Sequence, residues 1–354
     1  MKTCKKLSIS FLAMWLLFSA CSPDKEKLYL RMPKIDAHVH IRTADSAVME
    51  YALSEGFQLL TINTRSNSQD YIEEQKEYAL LMKRAYPEDI EWLTTFSMEG
   101  FEEPGWAGRV VQKLQEDLEQ GAVGFKIWKD IGMTFRDSIG RFVFLDDPLF
   151  KPILEFMEQS AQPLLTHIGE PLNCWLPIDS MTVNGDKSYF SNNPQYHAYL
   201  QTHIPSHERL MESRDHVLAT YPNLKMVGAH LGSLEWDVDV LAERLDRYPN
   251  FAVDMAARVC HFQVQDREKV RAFIIKYQDR LIYATDFGVS GDFGEQKRTW
   301  LENEWHSDWA YFATDDVLTS RKLDQEFQGL DLDPRVLRKI YYTNAARWYP
   351  DAFN

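Results

Sequence analysis

The sequence predicts a (β/α)8 barrel, the TIM-barrel architecture of the α/β class, and three observations lead to it. Eight strand-like segments alternate with segments that place apolar residues at helical spacing, which is the order of repeated parallel β/α units. Eight such units favour a closed barrel over an open doubly wound sheet. The first predicted strand also lacks the Gly-x-Gly-x-x-Gly turn that follows it in a dinucleotide-binding fold.

Each predicted strand is a short run of apolar, β-branched or aromatic residues that often ends in glycine or a polar residue. The eight runs are 34–41, 56–65, 90–99, 122–130, 162–169, 223–232, 250–257 and 280–288. Helical spacing is found between them at 70–86, 107–120, 148–160, 206–221, 234–248 and 265–278. Asp147 before Pro148 fits the N-cap and first position of a helix.

Two long insertions follow predicted strands five and eight, at 170–205 and 289–334. Segments that follow a strand of this barrel lie on its C-terminal face, where the active sites of such barrels are found. Loops of this length suggest a lid or a partner surface. Their tryptophan, tyrosine, asparagine and proline content is equally consistent with packing against the rim of the barrel.

The first strand, KIDAHVHI at 34–41, alternates polar and apolar residues. Successive side chains of a strand point to opposite faces, so Asp36, His38 and His40 are expected on one face. Two imidazoles and a carboxylate packed together are costly unless they bind something. The pattern therefore favours a metal over a pair of hydrogen-bonded core histidines.

Other strands also end in residues that can ligate a metal. His167 ends strand five, His230 ends strand six and Asp286 ends strand eight. The carboxyl ends of the strands meet at one mouth of the barrel, so these residues should converge with His38 and His40. Three imidazoles and a carboxylate suit a Zn²⁺-type site that keeps an open position for water.

The motifs DAHVH, GFKIWKDIGM, LLTHIGEP, GAHLG, ATDFG and YTNAARWY resemble the amidohydrolase superfamily, in its amidohydrolase-related branch. The resemblance implies that His38, His40, His167 and Asp286 hold one divalent metal ion. Zinc is the expected ion, and manganese or another ion is the alternative. The resemblance further implies that His230 contacts the substrate or the attacking water. In the expected reaction Asp286 moves the proton of that water, and His230 hydrogen-bonds the developing oxyanion.

Two cations are expected to contact the substrate. Lys126 lies opposite the apolar residues of its strand and points into the barrel. Binuclear members of the superfamily carry a carboxylated lysine at this strand end, whereas the amidohydrolase-related branch resembled here usually binds one metal. Lys126 is therefore expected to contact a substrate carboxylate, or alternatively to pair with Asp36 or Glu170. Arg258 could bind a substrate carboxylate bidentately, or alternatively form a rim salt bridge with Asp254 or with a loop acid.

Three functions are compatible with these residues. The leading one is a metal-dependent hydrolase acting on a lactone or amide-like bond of a small substrate. The closest alternative is a metal-dependent decarboxylase, a carbon–carbon lyase. A ligand-binding lipoprotein on a decayed barrel is the non-enzymatic alternative, and it predicts lost metal ligands, although none is lost. The remaining histidines, including His197, His207 and His261, are expected on the surface or in loops.

Residues 1–20 have the pattern of a secretory signal peptide, with three lysines, an apolar run and Ser19-Ala20 at its end. The stretch LLFSAC resembles the lipobox of bacterial lipoproteins, which implies lipidation of Cys21, although secretion with an incidental cysteine is the alternative. Residues 21–33 would then form a lipidated tether and residues 34–354 the barrel domain. The expected location is the bacterial cell envelope, facing the periplasm or the cell surface, with membrane contact through the lipid alone.

Composition excludes some partners. The 354 residues carry a formal net charge of −14, and removing residues 1–20 with their three lysines would bring it to about −17. Nucleic acid and an electrostatic membrane contact are therefore not expected, because both need a basic surface. Cys174 and Cys260 could pair or remain free thiols. A homo-oligomer is compatible with the sequence.

Overall fold

Eight parallel β/α steps close around a central barrel in the computed structural model, which describes residues 23–65, 67–201 and 203–353. The strands are β1 Lys34–Arg42, β2 Phe57–Ile62, β3 Ile90–Leu93, β4 Phe125–Ile127, β5 Leu164–Thr166, β6 Met226–Gly228, β7 Phe251–Asp254, β8 Leu281–Ile282, β9 Phe287–Ser290, β10 Val317–Leu318 and β11 Phe327–Gln328. The predicted signal peptide and Cys21 lie outside the described residues. The predicted fold class is confirmed.

The barrel strands form two parallel sheets, in the orders β3-β2-β1-β9 and β4-β5-β6-β7-β8. A bridge between Thr94 and Phe125 joins β3 to β4. On the other side, the Tyr283 carbonyl accepts from the Ala37 amide at 3.1 Å, and predicted strand eight divides there into β8 and β9. The seam therefore places Asp286, just before β9, beside β1.

In chain order the α-helices are α1 Pro23–Arg31, α2 Ala47–Ser54, α3 Gln69–Ala85, α4 Trp106–Glu119, α5 Asp130–Met133, α6 Lys151–Gln159, α7 Asn184–Asn192, α8 His207–Thr220, α9 Ala229–Gly232, α10 Val238–Arg247, α11 Val259–Gln263, α12 Arg267–Lys276, α13 Glu295–Ala313, α14 Pro334–Arg338 and α15 Asn344–Trp348. Short 3-10 turns cover Pro148–Phe150, Leu172–Trp175, Ile178–Ser180, Pro194–Tyr196 and Ala198–Leu200, and a π-turn covers Lys339–Thr343.

Local hydrogen bonds explain why the outer helices begin where the spacing predicts. Ser206 accepts from the Arg209 amide at the start of α8, and Asp266 accepts from the Lys269 amide at the start of α12. Asp147 is an exception. It precedes the 3-10 turn Pro148–Phe150 and its carboxylate accepts from the Phe144 amide at 2.8 Å, so it closes a turn instead of capping a helix.

The strict alternation predicted for the first strand is wrong. The pairing of β1 with β2 shifts register between Asp36 and Val39. Ile35 and Ala37 belong to the apolar cluster inside the barrel, whereas Val39 and Ile41 pack in the layer under the helices. Asp36 meets Trp305 of α13, whose indole N–H donates to its carboxylate at 3.0 Å. The bulge therefore turns His38 and His40 into the barrel and leaves Asp36 outside it.

The insertion at 289–334 is mainly part of the barrel and not a lid. Its helix α13 is the eighth helix of the outer layer, and Trp305 stacks on Phe57 of β2 with ring centroids 4.0 Å apart. The insertion at 170–205 does lie over the mouth, where Cys174, Met181 and Phe190 form a small core. Cys174 and Cys260 are buried free thiols.

The segment predicted as a lipidated tether is helical from Pro23 to Arg31 and packs on the base of the barrel. Tyr29 is buried, and its hydroxyl donates to Glu55 at 2.9 Å. Lys34 donates to the Tyr29 carbonyl at 2.6 Å. None of the helices in the described part of the chain combines the length and apolarity needed to cross a membrane.

Candidate metal centre

His38 enters the mouth of the barrel from β1, and Asp254 at the end of β7 fixes its ring. The two side chains meet at 2.8 Å through His38 Nδ1. Asp254 also accepts from the backbone amides of His230 and Ala256, at 2.7 and 3.1 Å. Burial opposes the charge of Asp254, but His38 and the side chains of His230 and Lys126 hold its pKa below the ordinary value. An ionised Asp254 can only accept, so His38 carries its proton on Nδ1 and presents the lone pair of Nε2.

His40 and His230 are held in the same tautomer by carbonyl oxygens. Nδ1 of His40 lies 2.9 Å from the Ile62 carbonyl, and Nδ1 of His230 lies 2.8 Å from the Ala256 carbonyl. Because a carbonyl only accepts, each ring donates from Nδ1 and leaves Nε2 as a lone pair. Burial lowers the pKa of His40 to about 4 and that of His230 to about 3. Both rings are therefore neutral near pH 7, as metal ligation requires.

Asp286 supplies the carboxylate of the cluster. Its amide donates to the His38 carbonyl at 2.9 Å, and its Oδ1 lies 3.1 Å from His40 Nε2 and 3.6 Å from His38 Nε2. Burial opposes its charge, but the neighbouring imidazoles of His40, His230 and His38 hold the pKa of Asp286 below the ordinary range. Its side chain is 35% exposed and faces the mouth.

The five predicted residues lie together at one mouth of the barrel. One ligand atom each from His38, His230 and Asp286 lies within 4.8 Å of the other two. The ring of His167 lies 4.3 Å from that of His230. The tightest group thus contains His230, which was predicted to lie beside the metal, and it leaves out His40 and His167.

The cluster fits a divalent ion. Two ligand atoms at 2.0–2.2 Å from one tetrahedral ion lie about 3.4 Å apart, close to the separations of Asp286 from His38 and His40. Among the described residues, His38 Nε2 and both ring nitrogens of His167 are buried without a hydrogen-bond partner. Buried polar atoms in this state need a ligand, and imidazole and carboxylate are the donors that zinc-type ions take.

Several residues with left-handed backbone conformation lie at the same mouth of the barrel. Arg65, His230, Ala257 and Asp286 follow β2, β6, β7 and β8, and each has φ between +54° and +68°. Residues with a Cβ rarely adopt this conformation, and such strain persists only where surrounding structure enforces it. At Asp286 the neighbouring Thr285 provides it, because Asp36 accepts from both its amide and its hydroxyl, at 3.0 and 2.6 Å.

Lys126 is buried inside the barrel, and its ammonium has no acceptor among the described residues. Burial lowers its pKa to about 8, and the nearest opposing charges are Asp254 and Asp286. The alternative salt bridge is wrong, because Asp36 binds Thr285 and Trp305, while Glu170 pairs with Lys129.

Arg258 is half-buried near the cluster, and its buried Nε lacks a partner within the described ranges. Its Nη1 donates to the Ala257 carbonyl at 3.0 Å. The alternative pairing with Asp254 is wrong, since His38 occupies that carboxylate.

Two residues of the site were missed in the sequence. Asp254 ends β7 in the same way as Asp286 follows β8, and that position was the available signal. Arg42 lies two residues after His40 in HVHIR, so the period of a strand places it on the same face. Its Nε is buried without a partner in the described part of the chain, and the charge of Asp286 acts on its pKa.

The expectation that the other histidines lie on the surface or in loops is wrong for His207 and His261, which lie in α8 and α11, whereas His197 does lie in a loop. His197, His207 and His261 are buried. Their partners are structural: His207 lies 2.9 Å from the Ser233 carbonyl, and His261 lies 3.4 Å from Asp186.

A cavity of about 580 Å³ lies next to the cluster, with Trp128 between them. Trp128 connects the two, because its ring packs edge-on against His167 with centroids 4.9 Å apart. The cavity is lined by Arg65, Asn67, Trp128, Lys129, Asp130, Met133, Thr134, Arg136, Phe142, Glu170, Tyr189, Gln195, Tyr196, Ala198, Gln201, His203 and Ile204.

Solved structures of similar architecture cover nearly all of the chain. An uncharacterised TIM-barrel protein from Bordetella bronchiseptica has 16% identity and a TM-score of 0.50, covering 91% of this chain and 100% of that one. The 2,6-dihydroxybenzoate decarboxylase from Rhizobium has 14% identity and a TM-score of 0.52, covering 90% and 99%. A probable 2-pyrone-4,6-dicarboxylic acid hydrolase from Acinetobacter baumannii has 10% identity and a TM-score of 0.50, covering 90% and 100%. At these identities the similarity shows the fold.

The sequence comparisons give a family. No curated protein matches the chain. The model of the amidohydrolase family matches residues 103–350, from α4 to α15, and includes the strand ends that carry His167, His230 and Asp286. Because this match spans more than half of the 354 residues, the chain belongs to the amidohydrolase family.

Proposed function

We propose that the protein is a metal-dependent hydrolase that attacks a lactone or amide-like bond of a small carboxylated molecule. The observation that carries the proposal is the convergence of His38, His230 and Asp286 at the barrel mouth, with ligand atoms within 4.8 Å of one another. The Nδ1 atoms of His38 and His230 each donate a hydrogen bond, so each ring presents the lone pair of its Nε2.

His38, His40, His167 and Asp286 would hold one divalent ion. When bound, such an ion lowers the pKa of a water molecule and polarises a substrate carbonyl. Its identity is proposed as zinc, in keeping with the nitrogen-rich ligand set, and manganese is the alternative.

Asp286 and His230 would then have different roles in the reaction. Asp286 is ionised and partly exposed, so a carboxylate oxygen can take a proton from water and return it to the leaving group. His230 cannot donate to an oxyanion from Nε2 while its proton is on Nδ1. We therefore revise the expected role of His230, whose Nε2 would accept a hydrogen bond from the attacking water and orient it.

Lys126 and Arg258 would recognise the substrate. Lys126 is a buried cation and Arg258 a half-buried one beside the cluster, and neither has a carboxylate within ion-pair distance among the described residues. A substrate carboxylate would compensate both charges, and the developing oxyanion could share the ammonium of Lys126.

Metal analysis with two histidine variants tests this proposal. The parent protein should bind one equivalent, His38→Asn should lose it, and His230→Asn should keep it while turnover falls at least about 100-fold. Turnover would be measured on a panel of lactones, amides and aromatic carboxylates. A parent without metal would refute the proposal, and loss of metal from His230→Asn would make His230 a ligand.

Decarboxylation is the second candidate, and the same two cations favour it as well. The Rhizobium protein of similar fold acts on 2,6-dihydroxybenzoate, a small aromatic acid, and Lys126 and Arg258 could hold such a carboxylate. Release of CO₂ from the carboxylate panel would support this candidate. Incorporation of ¹⁸O from water into the product would support hydrolysis.

We also propose that residues 1–20 direct export and that Cys21 carries a lipid anchor in a bacterial cell envelope. The support is the basic start, the apolar run and the LLFSAC stretch. The barrel domain would begin at β1, after α1.

A further inference from the structure

The cavity outside the histidine cluster is larger than a single small carboxylate needs. It holds about 580 Å³, and Trp128 connects it to His167. Its lining includes three cations, Arg65, Lys129 and Arg136. Their surroundings indicate what the outer part of the cavity binds.

Only one of these three cations is neutralised by an ion pair with a described residue. Lys129 pairs with Glu170. Arg136 donates to the Gly140 carbonyl at 2.9 Å and lies 3.6 Å above the Phe142 ring, so its charge is not compensated. Arg65 has no carboxylate within 4 Å in the described ranges; its guanidinium lies 5.5 Å from the Tyr71 ring.

Asp130 is the second carboxylate of the cavity, besides the Glu170 that pairs with Lys129. It accepts from the Thr134 hydroxyl at 3.3 Å. Burial raises its pKa, whereas the charges of Lys129 and Arg65 lower it. One carboxylate cannot offset both Arg65 and Arg136, so the cavity keeps positive charge in a protein whose formal net charge is −14.

A second guanidinium, that of Arg42, lies near the same Tyr71 ring as Arg65. It is 5.9 Å from the ring centroid, and burial together with the charge of Arg65 lowers the pKa of Arg42. Arg65 itself has φ of +68°, a strained conformation for a residue with a side chain. Two guanidinium groups near one ring repel each other, and a bound anion would relieve that repulsion.

Flat aromatic surfaces complete the cavity. Tyr189 and Tyr196 lie nearly parallel, with an interplanar angle of 9° and centroids 6.4 Å apart. Their exposed fractions are 45% and 55%, which is high for residues of this size. With Trp128 on the inner side, these rings offer surfaces for a planar or ring-shaped spacer.

We propose that Arg65 and Arg136 bind a second carboxylate of the substrate, so that the protein acts on an extended dicarboxylate. Its reacting end would lie at the histidine cluster beside Lys126, and its spacer would lie along Trp128. This inference rests on the proposed function, because the inner end is placed at the candidate metal centre. The guanidinium fork matches a carboxylate with two parallel hydrogen bonds.

Matched acids that differ by one carboxylate test the outer subsite. Cinnamate is compared with 4-carboxycinnamate, and hexanoate with adipate, by calorimetric titration of the metal-loaded protein and of the metal-free protein. The second carboxylate should tighten binding at least about 10-fold, as expected for a charge-assisted bidentate contact. Arg65→Gln and Arg136→Gln should each remove most of that gain and change binding of the monoacids less than about 2-fold.

Arg109→Gln is the matched control, since Arg109 is exposed and pairs with Glu103 outside the cavity. It removes the same charge and should leave the gain intact. Equal binding of mono- and dicarboxylates by the parent would overturn the inference, as would equal losses for both acids in Arg65→Gln. Discrimination that persists in a protein without turnover would retain the subsite and reject the proposed function.

Discussion

The position of one proton on each histidine decides what the candidate site can do. His38, His40 and His230 all donate from Nδ1, to a carboxylate or to a carbonyl, and so present Nε2 to the same region. Sequence could place these residues at strand ends but could not assign the tautomers, because these depend on partners from β2 and β7. The change in the role assigned to His230 follows from this.

Asp254→Asn should weaken metal binding. Three donors converge on Asp254, and an amide cannot accept from His38, His230 and Ala256 while also placing its own N–H₂ group. Loss of such a supporting carboxylate typically costs 10- to 100-fold in metal affinity. Competition with a chelator measures it. Asp246→Asn on the exposed face of α10 serves as the control, and an unchanged affinity in Asp254→Asn would contradict the assignment.

Lys126→Met should keep one metal per chain and bind a carboxylated substrate at least about 10-fold more weakly. The ammonium has no acceptor in the described structure, so its removal leaves the other residues paired as before, and methionine fills a similar volume. Elemental analysis and titration with the substrate give the two readouts. Two equivalents of metal in the parent and none in the variant would instead indicate a carboxylated lysine that bridges two ions.

At the scale of elements, all eight predicted strands were located, whereas the faces of β1 and the role of α13 were not. Alternation alone could not reveal the bulge after Asp36, which depends on pairing with β2. The sequence pattern did not predict helix α13, because this helix buries polar residues along with aromatic ones. Glu304 and Asp308 lie on its inner side with Trp305 and Trp309, so the apolar spacing that predicts an amphipathic helix is interrupted.

The inner face of α13 carries a buried carboxylate, that of Asp308, whose ionisation is unfavourable in the folded protein. Asp308 is buried and accepts from the Tyr283 hydroxyl at 3.0 Å. Burial raises its pKa, and the charge of Glu304 raises it further, although Lys322 opposes the shift. Since the folded state holds this proton more tightly than the unfolded chain, the contribution of Asp308 to stability is full below about pH 4 and is lost as pH rises above that value.

Asp308→Asn should therefore flatten the dependence of stability on pH. The parent should lose stability between pH 5 and pH 8, and the variant should lose at least about 1 kcal/mol less, because an amide keeps an acceptor for Tyr283 without titrating. Urea unfolding at pH 5, 6.5 and 8 measures this. Glu302→Gln, on the exposed side of the same helix, is the control. Identical slopes for parent and Asp308→Asn would show that Asp308 does not titrate with folding.

Across the whole molecule, the candidate site lies at one end of the barrel and the other end is closed by apolar residues. The carboxyl ends of the strands carry the histidine cluster and the cavity, beneath the 170–205 insertion. The opposite end is closed by Trp348, Tyr349 and Phe353, which join the apolar cluster inside the barrel. Helix α1 leads into β1 at this closed end. A lipid on Cys21 would therefore hold the molecule by its base and leave the mouth facing away from the membrane.

Cys21→Ala should move the protein from the membrane fraction to the soluble fraction and leave turnover of a small substrate within about 2-fold of the parent. Removing the acyl chains removes the anchor. The base and the mouth are at opposite ends of the strands, so the histidine cluster is not disturbed. Fractionation and kinetics on the same preparations provide the measurements, and Cys4→Ala, inside the predicted signal peptide, should remain anchored. A Cys21→Ala protein that stays in detergent-extractable membranes would refute the anchor, whereas release with loss of turnover would refute the separation of base and mouth.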